Sequence, residues 1–259
     1  MRNPRALAEE MERGSELPAG SDERFVGYGV MGVPFISGHV LAFRRMTASS
    51  LGEPYTTVWH RDPLGRWTFF TDSAPSRSCP RFFGEALDEV VMGEIELSWE
   101  GPFDLSLRVP EAGFLWGVRL SADLKTRGMS ALGRMIPAPV WRSETALSLM
   151  GTLGGPLLGL GELALTGSSP NGQRFRSAPR LLWRVEATAA ILDRQDLGDM
   201  EPLPEQARIG EFWIPNSGIF AMGQARFDGF DPRFHSRAIT GGERTPSSGI
   251  ETDLARETR

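Results

Sequence analysis

Thr56-Thr57-Val58-Trp59-His60-Arg61-Asp62-Pro63-Leu64-Gly65-Arg66-Trp67-Thr68-Phe69-Phe70 is the stretch that decides the fold class. β-Branched and aromatic residues flank Asp62-Pro63-Leu64-Gly65 on both sides. Pro63 presets φ for a turn and Gly65 is free to take positive φ, so the segment reads as a hairpin of strands over 56–61 and 66–71. It also contains His60, one of three histidines in the 259-residue chain.

The same grammar extends in both directions. Residues 25–31 and 39–46 are candidate strands separated by Gly32-Val33-Pro34. Residues 94–100 place Ile95, Leu97 and Trp99 on one face and Glu94, Glu96, Ser98 and Glu100 on the other. Gly101-Pro102 turns this run into residues 104–109, and Pro110-Glu111-Ala112-Gly113 leads into 114–124. Further strands are expected over 162–166 and 181–192, about an Asn171-Gly172 two-residue turn, and over 207–214 and 218–227, paired around Pro215-Asn216-Ser217. Strands at this spacing predict an all-β protein, an antiparallel β barrel or paired sheets. Helical spacing on both sides of Pro137-Ala138-Pro139, followed by a glycine-rich apolar run, predicts a helical insertion over 128–160 that could be a lid, a plug or an interaction surface. The expected organisation is a loosely ordered lead-in over 1–24, one β-rich domain over 25–230 and a disordered tail over 231–259.

Composition narrows the function classes. With 40% hydrophobic and 24% charged residues and a net charge of -5, the chain has the balance of a soluble globular protein and no electrostatic bias toward nucleic acid. Cys79 is the only cysteine, which excludes an internal disulfide and a cysteine-rich zinc site. The first residues lack the apolar core of a signal peptide, and no run is long and apolar enough for a transmembrane helix, so the cytoplasm is the expected compartment. Gly27-Tyr28-Gly29-Val30-Met31-Gly32 matches the letters of a dinucleotide fingerprint, but Val33-Pro34-Phe35 follows where that motif needs a helix. Glycines that let strands coil explain it better, and no cofactor is expected.

Candidate chemistry centres on the histidines. His39 shares a strand face with Leu41 and Phe43, and His60 shares one with Thr56 and Val58. Together with a carboxylate such as Asp62 or Asp72 they would suit zinc or non-haem iron, yet no spacing requires a metal and none is expected. A histidine lining an apolar cavity can instead move a proton, with Asp62 orienting His60 or His39. Trp59, Trp99, Trp116 and Trp183 would wall the cavity, with Arg61 and Tyr55 as further ligand contacts. The expected activity is binding of an apolar or amphipathic, lipid- or terpenoid-like molecule in the barrel, with or without hydration, isomerisation or cyclisation. A peripheral membrane or protein-interaction module using residues 147–165 is the alternative from a different class.

Two resemblances bear on this reading. The strand-rich layout, the tryptophan-rich strands and Asp62-Pro63-Leu64-Gly65-Arg66-Trp67 resemble the lipocalin-like proteins of the carotenoid 1,2-hydratase type, which implies a barrel around an apolar ligand. That family's Trp-Trp-Tyr signature is absent, so no catalytic residue carries over. Separately, Gly117-Val118-Arg119-Leu120-Ser121-Ala122, continuing to Lys125, resembles the strand that bears the active lysine of acetoacetate decarboxylases. This second resemblance implies a Schiff-base lyase using Lys125, the chain's only lysine, beside Arg127.

Overall fold

The computed structural model describes residues 3–121, 123, 128, 130, 133, 135–137 and 139–236. Its centre is a strongly curled half-barrel sheet of 13 strands. The main strands are β1 (Glu23–Val30), β3 (Val40–Ser49), β4 (Tyr55–Arg61), β5 (Trp67–Thr71), β6 (Glu89–Met92), β7 (Glu96–Trp99), β8 (Asp104–Val109), β9 (Phe114–Leu120), β11 (Arg174–Leu192) and β15 (Ile219–Phe227). They run in the order β6-β5-β4-β3-β1-β15-β11-β9-β8-β7. Short strands β2 (Val33–Pro34), β10 (Thr166–Ser168) and β12 (Gln195–Asp196) attach to β3 and β11. All pairings are antiparallel except β5 with β6, which is parallel.

The opening hairpin forms as its turn chemistry dictates. The Asp62 amide donates to the Arg66 carbonyl at 2.9 Å, and Gly65 takes φ +89°. Strand β11 gives the sheet its bend. Its first part pairs with β15 and its later part with β9, with register shifts at Pro179/Leu181 and Val185/Ala187 that let one long strand serve both halves.

Curling brings strands that are distant in the order into contact. Phe70 of β5 lies 6.4 Å from Phe114 of β9, and Phe43 of β3 lies 6.0 Å from Trp116 of β9. The concave side is therefore filled by side chains, among them Trp183, Val58 and Leu107. Helix α1 (Pro4–Arg13) adds Leu7, Ala8 and Met11 to this core. Asn3 caps it, accepting from the Ala6 amide at 2.8 Å. This helix lies within the segment expected as a lead-in, with Ala8 buried in the core.

Two expectations are corrected. Residues 207–214 form two short strands, β13 (Arg208–Ile209) and β14 (Phe212–Trp213), that pair with each other and not with β15. β15 instead lies between β1 and β11, where its long apolar run is covered on both edges. The Asn171-Gly172 turn joins β10 to β11 through a longer loop, closed by the Ser169 amide on the Gln173 carbonyl at 2.9 Å, and only Gly172 takes positive φ. The expected helical insertion over 128–160 contains a helix over Glu144–Leu158, called α3 below, after the one-turn α2 (Pro80–Phe83) between β5 and β6. Residues 237–259, most of the expected tail, lie outside the described residues.

Candidate ligand site

The convex face of the sheet carries a second core, and there the side chains shrink at its centre. On β15, Ala221, Gly223 and Ala225 alternate with Phe220 and Met222, which point into the concave core. Gly27 of β1 and Ala178 of β11 extend this floor of small residues. A Cβ at Gly27 would meet the Arg45 carbonyl oxygen, and one at Gly223 the Ala178 carbonyl oxygen. The glycine letters that mimic a dinucleotide fingerprint are there because strands approach too closely for a side chain.

Walls rise around this floor. Tyr55 and Trp59 of β4 stand on one side, and Cys79, Phe82 and Phe83, from the α2 segment, close another. Trp141 and the α3 residues Met150, Gly154 and Leu158 form the roof. Ser143 caps α3, accepting from the Ala146 amide at 3.3 Å, and Gly159 ends it at φ +70°. Gly151 and Gly155 let the helix lie directly on the backbone at Leu163 and Gly161. The cavity, partly open to the surface, measures about 280 Å³, at the small end of ligand pockets, which span roughly 300–1,000 Å³.

Arg44 is the only charged side chain among the described lining residues. It is 6% exposed, and burial pulls its pKa down to about 10. Nη1 donates to the carbonyls of Val30 at 2.8 Å and Phe43 at 3.0 Å. The guanidinium carbon sits 4.5 Å from the Trp59 ring centroid, a cation–π contact worth about 0.5–2 kcal/mol. Nη2 is buried without a hydrogen-bond partner, and among the described residues no carboxylate pairs with the group. Burying an ion costs several kcal/mol and an unpaired donor roughly 1–3 kcal/mol more, so this is an expensive feature of the fold. Trp141 Nε1 in the roof also lacks a partner. Arg44, Tyr55, Thr57 and Trp59 surround the Cys79 sulfur, and burial nevertheless holds the thiol above its ordinary pKa, hence protonated.

The residues singled out from the sequence divide between the two faces. Tyr55 and Trp59 line the cavity. Trp116 and Trp183 are packed in the concave core, with Trp99 against it, and Trp116 Nε1 donates to Thr188 Oγ1 at 2.8 Å. His39 and His60 come together, Nδ1 to Nε2 at 2.8 Å, on the concave side of β4 that Val58 shares. Adjacent strand residues point oppositely, so Trp59 faces the cavity and His60 faces away from it. Burial, reinforced by His39, lowers the His60 pKa to about 4, which keeps the ring neutral near pH 7. Asp62 spends its carboxylate on the hairpin, accepting from the Leu64 and Arg66 amides at 2.9 Å each and from Arg66 Nε at 2.7 Å. Arg61 sits half-exposed at the strand end, and among the described residues no cluster of three or more histidine, cysteine or carboxylate groups forms a metal site. Lys125 lies outside the described residues.

Arg44 was legible as a charge on the apolar face Val40, Ala42, Arg44, Met46, and the floor as the small residues at alternate positions 221, 223 and 225. The contributions of Cys79, Phe82 and Trp141 had no local signal, because short helical turns outside the strand pattern carry them to the cavity.

No protein-family model matches the sequence, and no curated protein is similar to it. Among solved structures, the chain is similar to acetoacetate decarboxylase from Legionella pneumophila subsp. pneumophila str. Philadelphia 1, with a TM-score of 0.35, 12% identity, and coverage of 84% of this chain and 88% of that one. No residue or activity is transferred from it.

Proposed function

We propose that the protein binds a small apolar or amphipathic molecule in the cavity between the convex face of the sheet and α3. The observation that carries this reading is the floor of glycine and alanine under an aromatic rim. A close-packed interior fills such space with larger side chains, and here three neighbouring strands leave it open. The site differs from the barrel interior expected from the sequence, because the concave side is occupied by its own core. The test is saturable quenching of tryptophan fluorescence by 1-octanol, compared with Ala225→Phe, which fills the cavity. Stoichiometric quenching that disappears in a cooperatively folding Ala225→Phe variant supports the reading. Non-saturable quenching, or equal binding by both proteins, overturns it.

A second reading has its own observation. Leu149, Leu153 and Leu157 lie four residues apart on α3 and are exposed by 59%, 60% and 82%. Such a stripe over the roof of an apolar cavity favours contact with a lipid surface from which the ligand is drawn. No described helix is long and apolar enough to cross a membrane. Cosedimentation with liposomes, abolished by Leu153→Asp with Leu157→Asp, is the expected result, and unchanged cosedimentation would refute it.

A further inference from the structure

We infer that the cavity takes a carboxylic acid, with its carboxylate on Arg44 and its hydrocarbon chain beneath α3. This assignment deepens the cavity reading and rests on it. Arg44 is 94% buried by side-chain and backbone neighbours, being only 6% exposed, yet Nη2 has no acceptor. Nη1 already holds two backbone carbonyls, and Trp59 covers one face of the guanidinium. What remains open is the Nη2 amino group of a cation that has no protein counterion among the described residues. A monoanion neutralises this charge one for one. A dianionic phosphate would leave net negative charge in an apolar enclosure, since no second cation lines it. The rest of the cavity offers mainly hydrocarbon and aromatic surface, which fits an alkyl or aryl chain better than a polar one. A cavity of about 280 Å³, near the lower limit of ligand pockets, suits a short chain, and octanoate is such an acid.

A neighbouring annex of about 80 Å³ provides the competing location for the head group. Arg142, Arg176, Arg180 and Arg226 line it, and it shares Trp141, Ala178 and Gln224 with the main cavity. Arg176 is paired with Glu144 and Asp228, and Arg226 with Asp22, whereas Arg180 Nε is buried without a partner. A head group there would leave Arg44 unanswered, which is why the inner site is preferred.

Calorimetric titration with octanoate, methyl octanoate and 1-octanol at pH 7 tests the assignment. Octanoate is expected to bind the unaltered protein about 10- to 100-fold more tightly than the ester or the alcohol, the range of a charge-assisted hydrogen bond. Arg44→Met should erase that preference, so that octanoate binds no more tightly than 1-octanol, and Arg180→Gln should preserve it. Equal binding of acid and alcohol to the unaltered protein overturns the carboxylate assignment alone. Loss of the preference in Arg180→Gln but not in Arg44→Met moves the head group to the annex and overturns the role of Arg44. Failure of all three compounds to bind overturns the cavity reading as well. If Arg44→Met does not fold, the acid–ester–alcohol comparison on the unaltered protein still decides the head group.

Discussion

His60 shows how one position on a strand fixes a side chain's role. It alternates with Trp59, so the pair divides between the two faces of the sheet, and His60 is buried against His39. Its folded pKa of about 4 lies below the ordinary value of 6.5. The unfolded chain therefore binds a proton in the intervening range while the folded one does not. Stability then rises with pH between 4 and 6.5, is complete above that window, and is lost as pH falls through it. At about 1.4 kcal/mol per unit, the full effect is roughly 3 to 4 kcal/mol. His60→Asn is expected to flatten this slope in chemical denaturation at pH 4.5 and 6.5, with 1-octanol binding unchanged. A variant with the slope intact would show that other groups cause the acid sensitivity. Arg44 is the converse case: a charge on an apolar strand face, visible in the sequence, whose missing counterion only the folded surroundings disclose.

At the scale of elements, the strands follow local pattern, whereas the helix over the cavity runs past its helical spacing into a glycine-rich stretch. β8 was expected over the residues it occupies, 104–109, because Leu105, Leu107 and Val109 alternate cleanly with polar residues. α3 holds Gly151, Gly154, Gly155 and Pro156, where glycine costs about 1 kcal/mol and proline about 3 kcal/mol relative to alanine. Close packing of Gly151 and Gly155 on the following backbone holds it in place, and that packing needs the glycines themselves. An element so held opens locally at low cost. Amides of Glu144–Leu158 are expected to exchange at least about tenfold faster than those of Phe114–Leu120, a difference of about 1.4 kcal/mol in opening free energy. Hydrogen exchange by mass spectrometry checks this, and equal protection would mean that α3 is a fixed wall and not a lid.

For the whole molecule, the consequence of the curl is two cores on one sheet. The concave core is continuous from β5 to β9, whereas the convex one is interrupted by the cavity. The exposed leucines of α3 lie outside both, so surface contact and ligand binding should separate. Leu153→Asp with Leu157→Asp is expected to abolish liposome cosedimentation and to leave 1-octanol affinity within about twofold, because surface substitutions away from packed sites act by only about 0.5 kcal/mol. Loss of both functions together would tie the stripe to the cavity itself.

Alternation, turn residues and glycine placement are local properties, and they were enough to determine a mostly β chain, its opening hairpin and the face on which Trp59 and Tyr55 lie. Local pattern has period two and does not say which face becomes concave. For that reason the tryptophans expected around one cavity are shared between two cores, and the histidine pair stands on the side away from the cavity. Closure of the curl decided that division by bringing β5 against β9. The cavity depends likewise on residues distant in sequence, with Gly27, Gly223, Cys79 and Trp141 meeting only after the sheet has bent and α3 has docked. Sheet closure and helix docking are non-local, and a pattern of neighbours along the chain carries no record of them.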